Sequence, residues 1–350
     1  MVGHGLSFFA VAQVPYLQNS AVAVFFVLSG IVVPYSTFHK LEKDPRYSFF
    51  SYFVDRFSRI YMGLLPALVF VAGLDFLNRG LFGSAYRYSR ACDLRTFVGN
   101  LFMLQDYLFQ SVTIRVVADR LSVPLSWIDP VTSFGSARPL WTVAVEWWIY
   151  LLFGWVVLGA TIRRTRPIFY WTFLLFFLVV PGSNWVLDGR GKGLTMMWAM
   201  GLLILALLAR LSRDWFRADA VFLAGFFLIA ALARVLSTQD AYDVLFVGLF
   251  AISLYFALCD LRGREGRRIP KGVEAAIVFN SSFSYTLYLI HYSVLDFLVN
   301  WRGPGLANVL FGFVLSNLLS IAMYEVFEKH YRALGSGLKR ALGLSARVTA

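Results

Sequence analysis

The sequence predicts an all-α fold: a polytopic integral membrane bundle of about ten transmembrane helices. Three observations carry this. The chain is 59% hydrophobic and 15% charged, with a mean hydropathy of +0.66, a balance found in polytopic membrane proteins and not in soluble domains. Nine apolar runs recur along it, most of them long enough to cross a hydrocarbon core of about 30 Å. The basic residues gather between those runs in a pattern that orients them. An aromatic content of 17% suits lipid-facing helices and interfacial belts and excludes disorder.

Taken in order, the first apolar stretch, Met1–Val14, is too short to span and too apolar for a loop, and with no charged region ahead of it a signal peptide does not explain it. Candidate spans follow at Ser20–Phe38 and Ile60–Leu77. Asn78–Arg138 then carries seven arginines and one short apolar piece, Phe97–Phe109, expected to form an interfacial or re-entrant helix because irregular backbone is not tolerated in contact with lipid. The remaining spans are Pro139–Gly159, Pro167–Pro181, Leu194–Leu211, Ala220–Val235, Val244–Cys259, Ala275–Leu298 and Leu306–Val326.

If spans alternate, the segments His39–Arg59, Thr161–Arg166, Arg210–Arg217, Arg262–Lys271 and the C-terminal tail share one face, and together they hold 21 of the 32 lysines and arginines. The positive-inside rule makes that face cytoplasmic, C-terminus included; Gly182–Lys192, Ser237–Asp243 and Asn300–Gly305 then face out, and the long Asn78–Arg138 segment is exempt by its length. The net charge of +12 is thereby accounted for by helix orientation, and a nucleic-acid role is not expected. Cys92 and Cys259 offer neither metal-ligand spacing nor a disulfide framework, so no metal site is expected.

Glu146 is the only charge within Pro139–Gly159. A carboxylate at that depth is unfavourable by several kcal/mol (about 3 on insertion scales) unless paired, protonated or wetted, and it marks a functional site by default. Other polar residues within or beside the spans are His4, Ser29, Arg56, Arg59, Tyr61, Ser284, Tyr285, His291 and Glu325. The topology puts His4, Glu146 and His291 in the outer half of the bilayer, where three titratable groups from different helices can share a cavity. A histidine beside a carboxylate can take a proton from a hydroxyl, and attack of that hydroxyl on a thioester is acyl transfer. Neither cysteine nor a GxSxG elbow lies beside a histidine, which favours direct transfer over an acyl-enzyme.

Plainer roles compete. Ser29–Gly30 fits a small-residue helix contact, and His291 a histidine bonded between helices. Arg56 and Arg59 fit cytoplasmic anchors, Tyr61 an interfacial aromatic, and Glu325 and Glu328 partners for Lys329. Composition and spacing leave two classes open, an enzyme and a proton-coupled transporter or flippase of a glycan or lipid-linked intermediate, with Glu146 as the coupling group. The inverted repeats common in transporters are not apparent.

Five segments resemble, in order, the acyltransferase 3 family of bacterial membrane acyltransferases: AVFFVLSGIVVPYS (Ala23–Ser36), YFVDRFSRIYMGLLPALV (Tyr52–Val69), RPLWTVAVEWWIYLLF (Arg138–Phe153), FSYTLYLIHYSVL (Phe283–Leu295) and YEVFEKHYR (Tyr324–Arg332). The resemblance implies a membrane domain over 1–335 with a short basic tail at 336–350, in the bacterial inner membrane with both termini cytoplasmic. It implies O-acyl transfer, usually of acetyl, from cytosolic acetyl-CoA or another acyl-CoA to a hydroxyl of an envelope or exported glycan or a small molecule, with no tightly bound cofactor. His4 would be the catalytic base and Glu146 its supporting carboxylate. Ser29, Arg56, Arg59, Tyr61 and Trp141 would line the donor path, with Tyr285 and His291 in the late helix motif. The family's first-helix basic residue, eleven positions before the histidine, would precede Met1. The resemblance therefore implies either a helix begun upstream of this sequence or a variant without that residue.

Overall fold

The structure, a computed structural model, describes residues 16–105, 120–122, 131–179, 193–210, 219–238, 240–263 and 270–344. His4 and the rest of Met1–Val14 lie outside them. Among the described residues every regular element is a helix, and six helices are long and apolar enough to cross a membrane, beside shorter apolar ones at Pro167–Leu178 and Leu194–Arg210. This is a multi-pass helical membrane protein. The chain divides into two compact units, one built from Arg46–Ser183 and Ala276–Ala350 and the other from Gln13–Pro45 and Asn184–Ala275.

The second unit holds α1 (Leu17–Lys43), and the first holds α2 (Phe49–Phe82), α3 (Leu94–Leu101), α4 (Leu140–Leu158), α5 (Ala160–Thr165) and α6 (Pro167–Val179). The chain then returns to the second unit for α7 (Leu194–Arg210), α8 (Ala220–Ser237) and α9 (Val244–Gly263). Through α10 (Lys271–Ser282) it passes back to the first, which ends with α11 (Ser284–Arg302), α12 (Leu306–Val326) and α13 (Tyr331–Ala341).

In the second unit, α1 crosses α7 at glycines. A Cβ on Gly30 would run into the Trp198 carbonyl, and one on Gly201 into the Val27 carbonyl, so the two backbones meet directly. Ser29 lies at the same crossing and accepts a hydrogen bond from Trp198 Nε1 at 3.3 Å. Ser253 Oγ donates to the Ala224 carbonyl at 2.8 Å, tying α9 to α8. Their connection closes on Asp243, which accepts from Thr238 Oγ1 at 2.5 Å and the Phe246 N–H at 2.7 Å and pairs with Arg234 at 2.6 Å. Burial pushes the Asp243 carboxyl up, but these partners outweigh it and hold the group below the usual range.

The first unit departs from expectation in three places. Arg56 and Arg59, expected in a loop, are helical. Ser48 caps α2 by accepting the Ser51 N–H at 3.3 Å, and the helix runs 34 residues, about 51 Å, which exceeds the bilayer core. The single span expected over Ala275–Leu298 is two helices, interrupted at Phe283. The reason is local: Asn280, Ser281, Ser282 and Ser284 all turn their side chains back onto backbone carbonyls and compete with the helical ladder. The short helix expected over Phe97–Phe109 starts earlier, at Leu94, where Asp93 caps it by accepting the Thr96 N–H at 2.8 Å; residues 106–119 lie outside the described set.

The tail expected from 336 begins inside α13, which packs on α2. Lys339 pairs with Asp55 at 2.6 Å, and Gly335 sits against Ser58.

Candidate active site

α4 is buried along most of its length, and its apolar surroundings make every polar group on it a question of partners. Glu146, 5% exposed, accepts a hydrogen bond from the Tyr150 hydroxyl one turn along the same helix. Tyr150 is in turn fixed from α2: the Tyr52 hydroxyl donates to the Tyr150 carbonyl at 3.1 Å. Gly154 admits the Tyr52 ring, since a Cβ there would overlap it. One turn beyond Tyr52, the Arg56 guanidinium lies over the rings of both Tyr52 and Tyr150, at 5.4 and 5.7 Å. The charges of Arg56 and Glu146 both bear on Tyr52. The carboxylate, two phenols and the guanidinium therefore form one cluster between α2 and α4, and Glu146 has a partner on its own helix and a cation nearby.

The cluster continues along α2. Tyr285, at the start of α11, donates to the Ile60 carbonyl at 3.2 Å, its ring seated against Gly63. It lies within reach of the charges of Glu146, Glu328 and Arg59. Arg59 faces the Tyr285 ring at 5.9 Å and the Tyr331 ring at 4.9 Å, and its Nη1 meets Glu328 Oε1 at 2.5 Å. Of the two glutamates expected to partner Lys329, Glu325 does so at 2.5 Å. Glu328 does not: it is fully buried, and Arg59 and Thr286 reach it first. Tyr61 stacks on Phe57 at 4.3 Å, meets Trp147 edge-on at 5.6 Å and donates to the Leu101 carbonyl at 2.8 Å. Trp141 stands half-buried in the first turn of α4.

His291 is buried on α11, with Nδ1 at 3.0 and 2.9 Å from the Leu287 and Tyr288 carbonyls. A carbonyl only accepts, so Nδ1 carries the proton and Nε2 is the basic nitrogen of the neutral ring. His291 and Glu146 stand on different helices, α11 and α4. Their helices meet through Tyr288, whose hydroxyl is 2.5 Å from Thr142 Oγ1, one turn before Glu146. Thus Glu146, Arg56, Arg59, Tyr61 and Tyr285 belong to one neighbourhood, and His291 is reached through Tyr288. Ser29 belongs to the other unit, at the α1–α7 crossing.

Sequence reasoning missed a second polar cluster on the first unit. Asp75, buried near the end of α2, accepts from Ser136 N–H (2.8 Å), Ser136 Oγ (2.6 Å) and the Tyr86 hydroxyl (2.6 Å). The same phenol reaches Asp296 of α11 at 3.2 Å, so one hydroxyl bridges two buried carboxylates. Tyr88 and Tyr292 pair beside it at 2.7 Å. Burial, reinforced by the hydrogen bond to Asp75, pushes the Tyr86 phenol above its ordinary value. Burial and the Asp75 charge likewise push the Cys92 thiol up to about 12. The signal was present: Asp75 and Asp296 each stand in the last turns of an apolar segment.

A family model described as an acyltransferase domain matches residues 2–325. The chain belongs to the acyltransferase 3 family. No curated protein and no solved structure matches it. This acyltransferase 3 protein is therefore a membrane acyltransferase, and the match runs through both compact units, from ahead of α1 to the last turn of α12.

Proposed function

We propose that this acyltransferase moves an acyl group, acetyl by default, from cytosolic acyl-CoA to a hydroxyl of an envelope or exported glycan or a small molecule. Its setting would be the bacterial inner membrane, with the C-terminus cytoplasmic. The observation that carries this is the continuous run from Arg59 and Tyr285 through Arg56, Tyr52 and Tyr150 to Glu146. Cations and aromatic faces at one end suit the phosphates and adenine of a nucleotide thioester. A buried, bonded carboxylate at the other suits the support of a catalytic base.

In the reaction, the acceptor hydroxyl gives its proton to His4 as its oxygen attacks the thioester carbonyl. The tetrahedral adduct collapses with cleavage of the C–S bond. Coenzyme A departs as the thiolate and recovers the proton from the imidazolium, leaving an ester. The Glu146 carboxylate, bonded to Tyr150, supports the imidazole in that step. Tyr61, Trp141, Tyr285 and His291 supply walls and hydrogen bonds around the reacting groups, and Ser29 fixes the α1–α7 crossing.

The test is reconstitution in vesicles with radiolabelled acetyl-CoA and a mixed pool of envelope glycans and small hydroxyl compounds, measuring free thiol and label transfer. Acceptor-dependent CoA release is expected, and it should vanish in a stably folded His4→Ala variant. Glycan translocation without CoA release would overturn the reading in favour of a transporter.

A further inference from the structure

Glu328 has no part in the chemistry above, yet it is the most completely buried carboxylate beside the proposed donor path. Its Oε1 is 2.5 Å from Arg59 Nη1, and its Oε2 accepts from Thr286 Oγ1, also at 2.5 Å. The Arg59 side chain itself keeps 36% of its surface exposed. Three elements thus converge on one guanidinium. α2 supplies Arg59, the start of α11 supplies Tyr285 and Thr286, and the turn before α13 with the first residue of α13 supplies Glu328 and Tyr331. Behind that turn, α13 is anchored to α2 by Lys339 on Asp55, with Asp55 also accepting from the Tyr47 hydroxyl at 2.7 Å.

An ion pair with one partner fully buried is a poor stabiliser, because desolvation of that partner offsets the attraction. What it does well is fix geometry. An unrestrained arginine must surrender its rotamer freedom when it grips an anion, whereas one already held on one amino group and by two ring faces surrenders less.

We propose that Glu328, with Thr286 behind it, is a positioning residue that presents the exposed part of the Arg59 guanidinium to the phosphates of the acyl donor. The C-terminal turn is then part of the donor site and not a tether. This rests on the acyl-CoA reading above.

Glu328→Asp tests it, since the charge is kept and only the reach is shortened. In vesicle assays the KM for acetyl-CoA should rise about three- to tenfold, with kcat at saturating donor within about twofold. Arg59→Ala should raise the same KM, and the double variant should be no worse than Arg59→Ala alone, because one residue acts through the other. Thr286→Val, which alters no charge, should shift KM in the same direction by less, and it serves if Glu328→Asp fails to fold. Additive effects in the double variant, or an unchanged KM in Arg59→Ala with transfer from acetyl-CoA intact, would overturn the positioning role while leaving the acyltransferase reading in place. A wild-type protein that transfers nothing from any acyl-CoA would remove both.

Discussion

Replacing Tyr150 by Phe isolates the hydrogen bond that its hydroxyl donates to Glu146. The ring stays, so its contact with Arg56 at 5.7 Å and its packing on α4 are kept. What disappears is the phenol O–H that donates to Glu146. A hydrogen bond to a buried carboxylate is worth about 1.5–3 kcal/mol, which corresponds to about 10–100-fold in an equilibrium or rate constant. Tyr52→Phe is the control. It removes a neutral bond to a backbone carbonyl, worth about 0.5–1.5 kcal/mol, and leaves Glu146 its donor. The assay is kcat/KM for acyl transfer in vesicles, with thermal unfolding in detergent measured alongside. Tyr150→Phe should lose about 10–100-fold and Tyr52→Phe no more than about tenfold. If the two are equal, or Tyr150→Phe is silent, the cluster does not act through Glu146 and the argument from the carboxylate fails.

Two further outcomes are expected. Gly30→Ala sets a methyl group against the Trp198 carbonyl, where backbone cannot swing aside, and should lower stability by about 1–3 kcal/mol; Gly225→Ala in α8, with open space at its Cβ, should be neutral or stabilising, and matching thermal shifts for the pair would refute the close α1–α7 crossing. The Cys92 thiol, pushed up to about 12 by burial and the Asp75 charge, stays protonated through neutral pH, so at pH 8 its thiolate should be about a thousandfold scarcer than that of a free thiol. Its alkylation, followed by peptide mass spectrometry, should be slower than that of glutathione by a similar factor, and labelling within tenfold of glutathione would contradict the buried contact.

The membrane class, the succession of apolar helices and the anomaly of a lone carboxylate at Glu146 were legible because each rests on composition along one stretch of chain. A run such as Pro139–Gly159 needs no partner to declare itself, and a lone carboxylate within it violates the hydrophobic pattern on sight. The break at Phe283 was less visible, since Asn280, Ser281, Ser282 and Ser284 read as mild helix residues until their side chains are seen on backbone carbonyls. Arg56 and Arg59 looked like loop anchors because charge suggests water, and only α2 itself shows that a helix of 34 residues carries them.

Pairings between distant parts of the chain were beyond the sequence. Glu325 and Glu328 are three residues apart and chemically identical, yet one meets Lys329 on the surface and the other is buried against Arg59, 269 positions away along the chain. Asp75 and Asp296 share a tyrosine only because α2 and α11 bring them together with the segment that holds Tyr86. Local patterns of hydrophobicity and charge thus determined that this chain is a membrane helical protein and where its costly polar groups lie. Which of those groups neutralise one another was decided by tertiary structure, because a buried charge takes its meaning from a partner that folding, and not sequence distance, supplies.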